Sequence, residues 1–188
     1  MFGVCRVGLT GTPGVGKTTV AGLLAKLGHS VHSVRDLALE NGCLEAIDRS
    51  DDSAPIDVDL LRSKLAWEGC EIGDDSECQF TFIDGHMSHW LDVDILVVLR
   101  LSPEHLSNRL TERGYSAAKI LENLEWEILG AVRSEIEQTE FAGPILEIDV
   151  SDMSANQVAE RISNWLSSPS TSLLNLDWLE EWGPKYLL

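Results

Sequence analysis

Three glycines, a lysine and a hydroxyl fall within eight consecutive residues, Gly11-Thr12-Pro13-Gly14-Val15-Gly16-Lys17-Thr18. Together they fill every fixed position of the pattern G-x-x-x-x-G-K-[ST]. The chemistry this allows is the capture of a phosphate chain. Glycines let the backbone curl until successive amides point at one anion, and a helix starting at the curl adds its partial positive charge. Gly14 and Gly16 shape the cradle, Lys17 can reach a β- and a γ-phosphate, and Thr18 can ligate Mg²⁺ through its hydroxyl. Thr19 is placed to meet an α-phosphate. ATP with Mg²⁺ is therefore the expected ligand.

Two further groups extend this chemistry. Asp84 ends an apolar run and supplies a carboxylate of the kind that holds Mg²⁺, with Thr18 as its partner ligand. His86, two residues on, could orient a water or a substrate hydroxyl, or serve only as a surface or core histidine. Arg109 and Arg113 stand four apart on one helical face, in a chain poor in basic residues. Their two guanidinium groups match the charge of a transferring phosphoryl group, the alternative being surface ion pairs with Glu112 or Glu104.

The elements that must position these residues are legible as alternating periods. Apolar runs predict strands at Val4–Leu9, Ser30–Val34, Gln79–Ile83, Asp94–Leu101 and Ile145–Val150. Helical spacing predicts helices over Lys17–Leu27, over Leu37–Glu40 capped by Asp36, and over about Asp57–Trp67. Further helices are predicted from Ser102-Pro103-Glu104 to Arg113-Gly114, over Ala117–Thr139 as one long helix, and over Ala155–Leu166. Strands alternating with helices specify an α/β fold with a five-stranded parallel sheet and right-handed crossovers. Residues 44–56 read as acidic and irregular. Residues 1–166 form the expected domain, followed by a Ser/Thr/Pro linker at 167–172. The remaining tail, to residue 188, carries Leu173, Leu174, Leu176, Trp178, Leu179 and Trp182, a stripe that reads as folded back on the domain rather than as a partner-binding peptide.

Composition narrows the partners. The chain has 188 residues, with 14 Lys and Arg against 31 Asp and Glu, a net charge of −17. Such a surface repels phosphate backbones, which argues against non-specific nucleic-acid binding and against anionic membranes. It suits a salty cytoplasm, where counterions screen self-repulsion. No apolar run approaches the roughly 20 residues that span a bilayer, and no leader-like segment opens the chain. A cytoplasmic protein is expected. The four cysteines, Cys5, Cys43, Cys70 and Cys78, form no C-x-x-C pair and read as buried reduced thiols.

Gly11 to Thr19, Asp84-Gly85-His86 and Arg113-Gly114-Tyr115 with Lys119-Ile120 and Glu122-Asn123 together resemble one family, the nuclear and archaeal adenylate kinases of the isoenzyme 6 group. The resemblance runs from about residue 5 to residue 166 and includes Asp36-Leu37-Ala38 and Glu127-Ile128. It implies a three-layer nucleoside monophosphate kinase fold, with a monophosphate-binding region near 33–56 and a short lid near 112–122. It implies the reaction 2 ADP ⇌ ATP + AMP, with ATPase activity beside it. It also implies a role in small ribosomal subunit maturation, through binding a platform ribosomal protein. By that resemblance Gly14, Gly16, Lys17, Thr18 and Thr19 bind ATP, Arg113 is the lid arginine with Arg109 its neighbour, and Asp84 and His86 are the Walker B-like pair.

The chain departs from the family at Leu39, where eukaryotic members carry an arginine suited to gripping AMP, and Arg35 or Arg62 would have to substitute. Residues Gly85 to Trp90 also lack the aromatic, acidic sequence usual in those members. Two alternatives therefore stand beside the adenylate kinase and ATPase reading. One is an ATP-dependent assembly switch indifferent to AMP; the other is a kinase of another small substrate. A GTPase is disfavoured, because no Asn-Lys-x-Asp motif occurs.

Overall fold

The computed structural model describes residues 4–44, 55–67, 79–173, 176 and 178–186. Five strands, β1 (Val4–Thr10), β2 (Ser30–Ser33), β3 (Gln79–Asp84), β4 (Ile95–Arg100) and β5 (Ile145–Asp149), form one parallel sheet in the order β2-β3-β1-β4-β5. Every residue of β4 is buried, as expected of an apolar strand covered on both faces. Because the chain crosses from one side of β1 to the other, the carboxyl ends of β1, β3 and β4 open a crevice where such folds bind ligands.

Helices cover both faces, giving three layers. On one face lie α1 (Lys17–Lys26), α4 (Pro103–Glu112), α5 (Ala117–Ile128) and α7 (Ala155–Trp165), which bury Leu24, Leu106, Leu110, Leu124 and Ile162 against Val7, Leu9 and Val97. On the other, α2 (Val34–Glu40), α3 (Val58–Leu65) and α6 (Ala131–Gln138) bury Leu37, Leu61, Val132 and Ile136 against Ile83 and Val98. The three-layer nucleotide kinase architecture is thus the one expected.

Three local expectations change. The long helix over Ala117–Thr139 is two helices, α5 and α6, broken where Gly130 adopts φ 61°. The break turns α6 onto the opposite face of the sheet. Asp36 does not cap α2; Ser33 does, its hydroxyl accepting the Asp36 amide at 2.9 Å, so the helix starts at Val34. Cys5 is disulfide-bonded, whereas Cys43 is free and buried, so the expectation of reduced thiols fits Cys43 and not Cys5. The acidic stretch read at 44–56 lies largely outside the described residues, as do Cys70 and Cys78.

The segment after α7 is held to the domain edge. Ser172 pairs with β5, donating to Ile145 O at 2.7 Å and accepting from the Glu147 amide at 2.9 Å. Trp165 Nε1 donates to Ser170 O at 3.0 Å. A terminal helix, α8 (Trp178–Tyr186), then packs on α5 with Trp178 buried. Among the described residues no helix is long and apolar enough to cross a membrane.

Candidate active site

The turn from β1 to α1 is built as the glycine pattern requires. Gly11 has φ 134°, and a Cβ there would collide with the Leu99 carbonyl, so a side chain at this position would push the loop off β4. The Lys17 side chain folds back under the loop, donating through Nζ to Gly11 O at 2.7 Å and to Thr12 O at 3.0 Å. Asp84 lies beside Leu9 across the β1–β3 pair and is buried. The Thr18 hydroxyl hydrogen-bonds to Asp84, while Asp84 Oδ1 is buried without a partner among the described residues. A buried carboxylate oxygen left unsatisfied next to the Thr18 hydroxyl is the donor set a hard cation such as Mg²⁺ would complete. Burial raises the Asp84 pKa, opposed by Thr18 and Lys17.

Burial also lowers the Lys17 pKa from 10.5 to about 8, with Asp84 and Glu127 raising it and Arg113 lowering it further. The ammonium is therefore present below pH 8 and lost above it. Since anionic phosphate attracts only the charged form, affinity for MgATP is expected to fall as pH rises through about 8, approaching tenfold per pH unit. Titrations at pH 7, 8 and 9 check this; a flat profile would mean that Lys17 does not meet the ligand.

Two cavities flank the loop. One, of about 200 Å³, lies between Gly16, Thr19, Arg109, Arg113, Val150 and Met153. Arg109 braces the loop from this side, donating Nη1 to Val15 O at 3.0 Å. The other, of about 300 Å³, is walled by Gly11, Thr12 and Pro13 and faced by His86, Trp90, Lys119, Trp126 and Glu135. His86 stands at its rim, where partial burial of the ring, with Lys17 and Lys119 nearby, lowers its pKa. Thus Gly14, Gly16, Lys17, Thr18, Thr19, Asp84, Arg109 and Arg113 gather around one loop, with His86 across the larger cavity. Leu39 is 65% exposed. Arg62 is engaged elsewhere, its Nε donating to Asp92 at 2.6 Å.

Sequence patterns did not mark the buried network that carries the loop. Glu127, only 1% exposed, accepts from the Thr12 hydroxyl, from Arg100 Nε at 2.7 Å and from the Leu101 amide at 3.2 Å. Arg100 also donates to Glu147 at 2.8 Å and to the Glu127 carbonyl at 2.9 Å. The Trp178 ring of α8 covers the guanidinium at 4.9 Å, a cation–π contact. Arg100 at the end of an otherwise apolar strand was the available signal, since a charge in a buried strand needs a partner. Thr12 therefore has its side chain anchored to Glu127 while its carbonyl holds Lys17.

A parallel sheet in this order, with a glycine loop leading into α1 and a carboxylate at the end of the neighbouring strand, defines a P-loop NTPase with the nucleotide kinase arrangement. The family model described as AAA domain matches residues 7–130. A protein named "Putative adenylate kinase" from Archaeoglobus fulgidus is 36% identical over 180 residues, covering 93% of this chain and 92% of that one. Its namesake from Thermococcus kodakarensis is 37% identical over 176 residues, covering 93% of each. A solved structure described as a putative kinase from Chloroflexus aurantiacus superposes with a TM-score of 0.51 at 20% identity, over 90% of this chain and all of that one, a likeness of fold. The chain belongs to this archaeal "Putative adenylate kinase" family within the P-loop NTPase superfamily.

Proposed function

We propose that this protein is an ATP-dependent phosphotransferase that moves the γ-phosphoryl group of ATP to AMP, with transfer to water as a second outcome. The observation that carries the reading is the loop itself: a buried ammonium held on Gly11 O and Thr12 O, beside the Thr18–Asp84 pair. Family membership supports the kinase class. In this reading the amides from Gly14 to Thr19 take the phosphate chain, and Lys17 neutralises the charge that builds on the transferring group. Thr18 and Asp84 would hold Mg²⁺, which when bound neutralises the β- and γ-phosphate oxygens. Arg109 fixes the loop from outside, and Arg113 brings a second positive charge from the turn between α4 and α5. That turn acts as the short lid, excluding water when it closes. His86 orients the acceptor from the rim. The region near 33–56 would receive AMP, and a platform protein of the small ribosomal subunit is the partner that the family resemblance suggests.

A second reading, an assembly switch indifferent to AMP, draws support from the monophosphate side. Leu39 offers no charge, and Arg62 is tied to Asp92. Purified protein with MgATP, assayed with and without AMP, CMP or UMP, separates the two. ADP formation that rises at least tenfold with AMP is the expected result. Phosphate release insensitive to every monophosphate would favour the switch.

A further inference from the structure

The large cavity contains a hydrogen-bonded chain that the phosphate-binding chemistry leaves unused. Glu135 of α6 lines the same cavity as Gly11, Thr12 and Pro13, and Lys17 is held on the carbonyls of Gly11 and Thr12. Its Oε2 lies 3.1 Å from Nε2 of His89, a residue only 2% exposed. His89 Nδ1 in turn lies 2.9 Å from Oγ1 of Thr10, which immediately precedes the glycine loop, and Thr10 Oγ1 donates to His86 O at 3.1 Å. Three segments remote in sequence thus converge on a line running from the end of β1 into the cavity.

Donor arithmetic assigns the protons along this line. The Thr10 hydroxyl has one hydrogen and spends it on the His86 carbonyl, so it must accept from His89 Nδ1–H. The neutral imidazole then turns the bare lone pair of Nε2 toward Glu135. An ionised Glu135 leaves that contact without a hydrogen, and a proton arriving on Oε2 completes it. Burial supports the same picture, holding the His89 pKa at about 4, with His86 adding to the effect, and raising the Glu135 carboxyl. The site is thus built to receive a proton beside the loop that holds the transferring phosphoryl group.

We propose that Glu135, backed by His89 and Thr10, is the general base of the hydrolytic branch of this enzyme. Water in the large cavity loses a proton to Glu135 Oε2 as its oxygen bonds to Pγ. The bond from Pγ to the β–γ bridging oxygen breaks, its electron pair leaves with ADP, and the transferred proton is shared between Oε2 and His89 Nε2. This rests on the ATP-site reading above and deepens it. The phosphate of AMP differs from water in needing no such acceptor, because its oxygens are largely ionised at neutral pH, the second pKa being about 6. Glu135 therefore acts on the water branch and sets the division between hydrolysis and transfer.

The test uses the purified full chain with Glu135→Gln and Glu135→Asp, following MgATP affinity, phosphate release, ADP formation with AMP, and thermal melting. General-base removal is worth on the order of 100-fold. Glu135→Gln should lower phosphate release about that much more than it lowers AMP-dependent ADP formation, and Glu135→Asp should recover part of the loss. If no AMP-dependent reaction exists, the reference is MgATP affinity, and the same loss of hydrolysis at retained affinity supports the proposal. Should Glu135→Gln melt early, His89→Asn, which keeps a neutral polar group but withdraws the Nε2 lone pair, should shift the division in the same direction by roughly tenfold. Hydrolysis by Glu135→Gln at the normal rate, an equal loss in both branches, or no hydrolysis by the unaltered protein with MgATP bound would overturn this proposal alone. Failure of the unaltered protein to bind MgATP would overturn the ATP-site reading as well.

Discussion

Lys17→Ala is expected to lower turnover of MgATP by roughly 100- to 1,000-fold, the usual cost of removing one electrostatic stabiliser of a transferring group. The fold should survive the change, for a reason visible in the burial of the ammonium. With its pKa lowered from 10.5 to about 8, the charged lysine costs the native state about 3 kcal/mol at neutral pH. The sign follows from linkage. Between pH 8 and 10.5 the unfolded chain binds the proton that the folded chain has released, so this penalty is full below pH 8 and fades as pH rises. Alanine removes the penalty and loses the hydrogen bonds to Gly11 O and Thr12 O, which are together of similar size. The nucleotide-free variant should therefore melt at or slightly above the unaltered protein, yet gain little protection from MgATP. Kinetics and melting curves with and without MgATP check both halves. Near-normal turnover would remove Lys17 from the site, and a steep loss of stability would mean that its structural role outweighs its burial cost.

Arg100→Ala should have the largest effect on stability. Arg100 is 4% exposed and bridges two carboxylates, Glu127 and Glu147, that are themselves 1% and 2% exposed. Taking away the cation leaves both acids buried without their main partner, a change that costs about 3–5 kcal/mol. For a chain of this size that corresponds to a fall in melting temperature on the order of 10 °C. The loop should feel it too. Glu127 holds the Thr12 hydroxyl, and the Thr12 carbonyl holds Lys17, so the variant that still folds should bind MgATP more weakly. Arg100→Lys keeps the charge but loses the fork that serves Glu127 and Glu147 together, and an intermediate loss is expected. Melting within 2 °C of the unaltered protein, measured by calorimetry, would show that the network carries little of the stability.

The phosphate-binding loop was legible because its chemistry is contiguous. Backbone curl, ammonium and hydroxyl all come from residues 11–18, and the flanking periods announce the strand and helix that fix the curl. The parallel sheet was legible for a similar reason, since a strand buried on both faces must be apolar throughout, as β4 is up to its last residue. The division of α5 from α6 was harder to read. Amphipathic spacing continues through Gly130, and a glycine inside a helical pattern marks a break only if packing exploits its positive φ.

What the sequence determined by itself, then, was the strand-loop-helix that can cradle phosphate and the alternation that builds a sheet around it, because both are written in neighbouring residues. Tertiary structure alone decided which charges meet. It brought Arg100 to Glu127 and Glu147, 27 and 47 residues away, Thr10 to His89 across a separation of 79, and His89 to Glu135 across one of 46. A buried ion or imidazole declares that it needs a partner, but which partner it finds depends on how the crossovers lay the carboxyl ends of the strands beside α5, α6 and α8.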